Sequence, residues 1–345
     1  MSNEFITEID ELIRILGLSS SMSSDFIYES DYSLLVPRDF VKLMEKGNPD
    51  DPLLMQVLPR LEENNDVVGF TSNPLDEKIN TDLPILKKYC GRALLMLTRR
   101  CGIHCRFCFR RHLLSDNARL DCLSQRDLLL PKMTSSSLNE SNLQFCDSVE
   151  EFDLAMESVF KSIMFDESIR EVIFSGGDPF TQSDGQIKRA LDYIVKIPHV
   201  KRIRIHSRMP VIIPKRITER LNDILSCLKP IYLVLHVNHP NELSDELLTR
   251  LKLLTSPVLL SQTVLLRGIN DSVEVLVKLF EMLADHRVIP YYLHQLDRVS
   301  GASHFEVDIS KGQRIISRLR ELLSGYAIPR YVQEIAGENC KKLLL

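Results

Sequence analysis

The chain has 345 residues, 44% of them hydrophobic and 26% charged, with a formal net charge of −4 at pH 7. That is an ordinary globular balance, long enough for one large α/β domain with a decorated N-terminus or for two smaller units. With 43 Lys plus Arg against 47 Asp plus Glu there is no basic excess to hold a phosphate backbone, and no apolar run approaches a membrane span. Neither nucleic acid nor a membrane is expected as a partner.

The opening MSNEFITEIDELIRIL is acidic and amphipathic, without a basic start and apolar stretch, so no secretory signal is evident and a cytoplasmic location is expected. Eight cysteines, three of them clustered, fit a reducing compartment better than a disulfide framework. Cys90, Cys122, Cys146 and Cys227 read as ordinary thiols. Within Phe5 to Leu18, Ile6, Ile9, Leu12, Ile13 and Leu16 fall at helical spacing, and the run Ser19 to Ser24 is expected to stop that helix. A second helical stretch is predicted from Arg38 through Phe40, Val41, Leu43 and Met44 to Gly47. In GNPDDPLLMQVLP, Asp51 before Pro52 predicts a capped helix start and Pro59 its end. Glu62 to Leu83 has no clear period and is expected to wrap the surface.

From Arg92 onward, short β-branched runs alternate with helical patterns at intervals of about thirty residues. The runs are Ala93 to Thr98, Glu171 to Ser175, Arg202 to His206, Ile231 to Val237, Leu259 to Leu265 and Ile289 to Gln295, with helices such as Ile217 to Leu228 and Val273 to His286 between them. Parallel neighbours need crossovers, so the fold class is α/β with a parallel sheet. A partial (β/α)6 barrel is the first choice and a doubly wound open sheet its competitor. Residues 1–86 are expected to form a helical extension packing on a barrel of residues 87–345. The stretch Leu128 to Phe145, rich in Ser and Asn, is expected to be an exposed excursion without a catalytic role.

The stretch carrying most chemistry is RALLMLTRRCGIHCRFCFRRH, Arg92 to His112, where Cys101, Cys105 and Cys108 fall within one loop after a strand-like run. Thiolates suit zinc or an iron–sulfur cluster. A closed zinc site wants a fourth Cys or His, usually from a second knuckle, and none follows. A cluster held by three cysteines leaves one iron without a protein ligand, which is what a reactive centre needs. Three structural cysteines sharing a loop by chance is the bland alternative. Downstream, SGGDP (Ser175 to Pro179) places two glycines after a strand, for close approach to a ligand or simply for a tight turn. His236 and His239 lie close together after the fourth run, but no third zinc ligand is evident.

The C-x3-C-x2-C spacing with Phe107 before the last cysteine resembles the cluster loop of radical S-adenosylmethionine enzymes. The resemblance implies a 4Fe–4S cluster on Cys101, Cys105 and Cys108, S-adenosylmethionine on its open iron, and Phe107 near the adenosyl group. It also favours the partial barrel. It implies an external one-electron reductant, flavodoxin-like or ferredoxin-like, and contact of Ser175, Gly176, Gly177 and Asp178 with S-adenosylmethionine.

From Asn48 to Lys341 the chain more narrowly resembles the lysine 2,3-aminomutase family, through GNPDDPLL, LHVNHPNE and LLRGIND. That resemblance puts His236 and Gln262 against S-adenosylmethionine and adds pyridoxal 5′-phosphate. Lys88, Tyr89 and Arg92 then match its phosphate site, and Lys341 in QEIAGENCKK matches its anchoring lysine, with Lys342 the off-by-one alternative. Free L-lysine is the implied substrate, with Arg110 taking its carboxylate and Asp297, helped by Glu334, its ε-ammonium. Glu334 where the family typically has Asp, the AGENCKK stretch and the short remainder look more like the branch that makes (R)-β-lysine for the ligase that modifies elongation factor P. Two other readings stay open: a free-lysine aminomutase serving metabolism or osmolyte synthesis, and a radical enzyme without pyridoxal phosphate. A metal-containing interaction module without turnover is the non-enzymatic competitor.

Overall fold

The computed structural model describes residues 4–18, 32–78, 83–114 and 149–345. The predicted stop at Ser19 to Ser24, the excursion Leu128 to Phe145, and Cys122 and Cys146 lie outside the described residues.

The N-terminal part is less helical than its pattern predicts. Phe5 and Ile6 form β1 (Phe5–Ile6), antiparallel to β2 (Val36–Pro37), so α1 (Ile9–Leu16) starts one turn late. Its stripe of Ile9, Leu12 and Leu16 is buried as the spacing requires. The helix ends at Gly17, whose φ of 65° lets its N–H turn back to the last helical carbonyls. The second helix is a single turn, α2 (Arg38–Val41). At Asp51 the capping holds: Oδ1 accepts from the backbone N–H groups of Leu53 and Leu54, both at 2.9 Å. Residues 52–58 are nevertheless successive turns rather than a regular helix, with Gln56 and Val57 bonding only three residues back. The stretch after Glu62 does not merely wrap the surface. Glu63, Phe70 and Leu75 are buried, Glu63 because two arginines from the cysteine loop close on it.

The remaining strands build one sheet. They are β3 (Ile85–Leu86), β4 (Arg92–Leu95), β5 (Glu171–Phe174), β6 (Arg202–Ser207), β7 (Ile231–His236), β8 (Val258–Val264), β9 (Ile289–His294), β10 (Arg330–Gln333) and β11 (Lys342–Leu343). Between them run α3 (Arg111–Leu114), α4 (Val149–Met164), α5 (Asp184–Val195), α6 (Met209–Ile212), α7 (Glu219–Leu225), α8 (Asp245–Leu251), α9 (Val273–Asp285) and α10 (Ile309–Leu322). Side-chain caps fix the starts of α5, α7, α8, α9 and α10, where Ser183, Thr218, Ser244, Ser272 and Asp308 each accept a backbone N–H. Among the described residues no helix is long and apolar enough to cross a membrane.

Strand order decides between the two candidate architectures. The nine strands lie in sequence order from β3 to β11, parallel from β4 to β10, with antiparallel β3 and β11 at the edges. A doubly wound sheet needs a point where the order reverses, and this sheet has none. Every strand from β3 to β11 contributes a lining residue to one cavity, from Leu86 and Leu94 through His236 to Val332 and Leu343. Only a sheet curled on itself can do that, so the fold is a partial barrel. The six predicted strands are all present. β10 is a seventh parallel member that the sequence pattern did not reveal, and the site's last acid, Glu334, follows it directly. One core runs from Ile6 and Leu54 through the strand and helix interiors to Leu344, so the N-terminal elements share it with the barrel.

Candidate active site

The cavity measures about 570 Å³, within the range of small-ligand sites. Apart from the alternative anchor Lys342, every residue singled out from the sequence for the cluster, the cofactors or the substrate lines it.

The cysteine loop leaves the end of β4 and is held from both sides. On one side Arg106 is fully buried, donating Nε to Glu63 Oε1 at 2.7 Å and Nη2 to Oε2 at 2.5 Å, while Arg111 donates to that same Oε2 at 2.5 Å. Backbone N–H groups of His104 and Arg106 also reach the Leu35 and Gln56 carbonyls at 2.9 Å each. On the other side Gly177 N–H donates to Thr98 O at 3.0 Å and Asp178 N–H to Arg100 O at 2.7 Å. A Cβ on Gly177 would lie 2.5 Å from Arg100 O and 2.7 Å from Thr98 O. Gly176 has a φ of 112°, which favours glycine. Gly177 therefore serves close approach of backbone to backbone, locking the turn after β5 onto the cysteine loop, while Gly176 makes room for the Met96 side chain.

Burial pushes the thiols of Cys101, Cys105 and Cys108 up, Cys108 to about 11; Cys108 and Cys105 add to the rise at Cys101, and Cys105 to that at Cys108. Among the described residues no three His, Cys, Asp or Glu side chains converge as ligands of a single ion. All three thiols border the cavity, a donor set that suits a cluster held by three thiolates. His236 lines the cavity and His239 does not. His236 Nε2 contacts Asn238 Oδ1 at 3.2 Å, whereas His239 accepts the Asn241 N–H at 3.2 Å.

Around the loop, the Phe107 ring sits 5.6 Å from the His236 ring and edge-on to Phe305 at 6.3 Å. Burial, with Arg208 nearby, brings His236 down to about 3, so its imidazole is neutral. Gln262 lies at an irregularity where β8 and β9 change register, a device that re-aims side chains beside sites. Asp178 is committed to protein donors: Ser207 Oγ at 2.7 Å and the N–H groups of Phe180, Arg208 and Met209 at 3.0, 2.6 and 2.9 Å.

The other end of the cavity is an anion cradle. Lys88 Nζ lies 2.6 Å from Glu334 Oε1, Tyr89 donates to that same oxygen at 2.8 Å, and Lys341 pairs with Glu334 Oε2. Burial opposes the Glu334 charge, yet Lys341 and Lys88 outweigh it and bring the carboxyl down to about 2. Arg92 stacks over Tyr89 at 5.5 Å. Lys88 and Tyr89, with the Arg92 guanidinium over the Tyr89 ring, are two cations and a phenol of the kind a phosphate dianion wants, and Lys341 stands beside them. Lys341 gets there because β11 turns back antiparallel on β10, pairing Gln333 with Lys342 and bracketing both Glu334 and Lys341 at the hairpin. Lys342 is exposed and does not line the cavity. The segment is tied down by buried Leu344, whose N–H reaches Tyr331 O at 2.9 Å.

Asp297 follows β9. Burial, with Glu334 beside it, pushes its carboxyl up to about 7 against the pull of Lys341, Lys88 and Arg110. Arg110 is closed on Glu77, Nε to Oε2 and Nη2 to Oε1, both at 2.7 Å. Glu77 was not foreseen from the sequence, nor were Arg208, Gln56 and Glu242, which tie Cys105 to the N-terminal turns. Arg204, His206, Tyr292 and His294 also face the cavity. The alternation along β6 and β9 was the signal for these four: His206 stands two residues after Arg204, and His294 two after Tyr292.

No protein-family model matches the chain. The L-lysine 2,3-aminomutase of Escherichia coli (strain K12) is 38% identical over 343 residues, spanning 98% of this chain and 91% of that protein. That of Buchnera aphidicola subsp. Baizongia pistaciae is 36% identical over 342 residues, spanning 97% and 92%. That of Clostridium subterminale is 33% identical over 305 residues, spanning 88% and 66%. Among solved structures, a radical SAM methyltransferase from Sphaerobacter thermophilus is 17% identical with a TM-score of 0.37, covering 53% of this chain and 56% of that one, too distant to bear on the reading. Similarity that runs nearly the full length of the chain, on a site whose anticipated residues share one cavity, makes this protein a member of the lysine 2,3-aminomutase family.

Proposed function

We propose that the protein moves the α-amino group of free L-lysine to the β-carbon. Membership of the family implies a 4Fe–4S cluster and S-adenosylmethionine, and the thiol loop fits the first. We assign Cys101, Cys105 and Cys108 as the cluster ligands and Phe107, His236, Gln262 and the Ser175 to Asp178 turn as the surroundings of S-adenosylmethionine. Pyridoxal phosphate is assigned to Lys341, with its phosphate on Lys88, Tyr89 and Arg92. When bound, these groups supply a carbon radical able to take hydrogen from an unactivated C–H bond, and an aldehyde that carries the migrating nitrogen.

The protein's own part is positioning and exclusion of water. Arg110 holds the substrate carboxylate once Glu77 lets go, since a planar guanidinium offers the same two-point grip to either acid. Asp297 receives the ε-ammonium, a cation whose burial needs such a partner. Glu334 turns from the lysines toward that ammonium when a phosphate takes its place. Leu86, Leu94, Ile173 and Leu296 keep the walls between these polar groups apolar. Neutral His236 adds no charge beside the thiols.

The observation that carries the reading is the shared cavity: the cysteine loop, the anion cradle with Lys341, and Arg110 with Asp297 all border one space. Reconstituted, reduced enzyme given lysine, S-adenosylmethionine and pyridoxal phosphate should form β-lysine, and none formed would refute the proposal. The assignment to elongation factor P modification rests on Glu334 and the AGENCKK stretch. Its test is chiral analysis for (R)-β-lysine, with transfer of that product to elongation factor P by the partner ligase.

A further inference from the structure

We infer that Arg208 is a positioning residue that sets the reduction potential of the cluster through Cys105, with Glu242 as its counterweight. The inference rests on the reading of Cys101, Cys105 and Cys108 as cluster ligands. Those three sulfurs do not receive equal donors. The Asp178 N–H beside Cys101 is given to Arg100 O at 2.7 Å, and Arg110 and Arg111 act on Cys108 through their charge. Cys105 takes a full cation, with Arg208 Nη1 at 2.7 Å from its Sγ.

The guanidinium cannot leave that position. Nη2 is held by Gln56 Oε1 at 2.6 Å and Glu242 Oε2 at 2.9 Å. Its Cζ lies 5.6 Å from the centroid of the Phe107 ring and 5.7 Å from that of Phe40. Glu242 is itself fully buried and fixed, its Oε1 accepting from Gln56 Nε2 at 3.1 Å and from the N–H groups of Asn238 and His239 at 3.0 Å each. An arginine present only to neutralise Glu242 would have no need to extend its other end to a sulfur. Reducing the cluster adds one negative charge. A charged donor on a ligand sulfur favours that state and raises the potential, while a buried carboxylate behind the donor lowers it. The two residues therefore oppose each other at the same ligand.

The test is a redox titration with dithionite of reconstituted wild-type, R208Q, R208K and E242Q proteins, read by the electron paramagnetic resonance signal of the reduced cluster. R208Q should shift the midpoint to more negative potential, E242Q should shift it to more positive potential, and R208K should fall between R208Q and wild type. Unchanged midpoints, or shifts of R208Q and E242Q in the same direction, would overturn the proposal. If R208Q holds no cluster, E242Q and R208K decide, and an E242Q midpoint at or below wild type overturns it equally. A wild-type protein that yields no reducible 4Fe–4S signal would instead overturn the ligand assignment beneath it.

Discussion

Glu77 grips Arg110 with both carboxylate oxygens at 2.7 Å, and both side chains are more than nine-tenths buried. The geometry is the one a carboxylate adopts on a guanidinium, so on the proposed reading Glu77 and the substrate carboxylate compete. Replacing Glu77 with Gln keeps its volume and weakens its hold. E77Q should lower the KM for lysine several-fold with little change in kcat, measured by steady-state kinetics. A raised KM would mean that Glu77 orients Arg110 rather than competing for it.

Asp297 must be ionised to receive an ammonium, yet its carboxyl is pushed up to about 7, chiefly by burial. Below that pH the ionised fraction falls about tenfold per unit, so lysine affinity should weaken as pH drops from 8 to 6. D297N should bind lysine more weakly and with a flat profile over that range. Isothermal titration at several pH values reads both, and a D297N profile parallel to wild type would place the titration elsewhere.

The cradle distinguishes the two adjacent lysines. K341A should abolish the visible absorbance of a pyridoxal adduct and the activity together, whereas K342A should keep both. Absorbance that survives K341A and disappears in K342A would move the anchor by one residue.

Arg106 and Glu63 form a buried charge pair beneath the cysteine loop, with Arg111 as a third member. R106M removes one partner and leaves Glu63 half-compensated, a change that costs about 3–5 kcal/mol in such pairs. Denaturant unfolding should show a loss of that size, and a loss under about 1 kcal/mol would mean that Arg111 alone suffices.

The six central strands were legible because β-branched, apolar runs bounded by turn residues survive any tertiary context. β10 was not: RYVQ is four residues long, follows Pro329, and is strand only because β9 and β11 flank it. The turns at 52–58 carry helix signals, since Asp51 does cap them, but Gln56 is turned toward Arg208 and Glu242 instead. Those partners are 152 and 186 residues away in the chain, a separation no local pattern encodes. Glu77 was hidden for the same reason, as one of several acids in a stretch without period. The cysteine loop was the easiest part to read, because Cys101, Cys105 and Cys108 fall close together in one short stretch of chain.

An unclosed cylinder exposes two seams of peptide groups, each an invitation for a neighbouring molecule to add its own backbone. Here both seams end in strands only two residues long that run against the grain of the sheet. A stray chain docking there meets a ladder of few rungs in the wrong orientation for the parallel array behind it, so the opening can stay accessible to small molecules without seeding fibrous self-assembly.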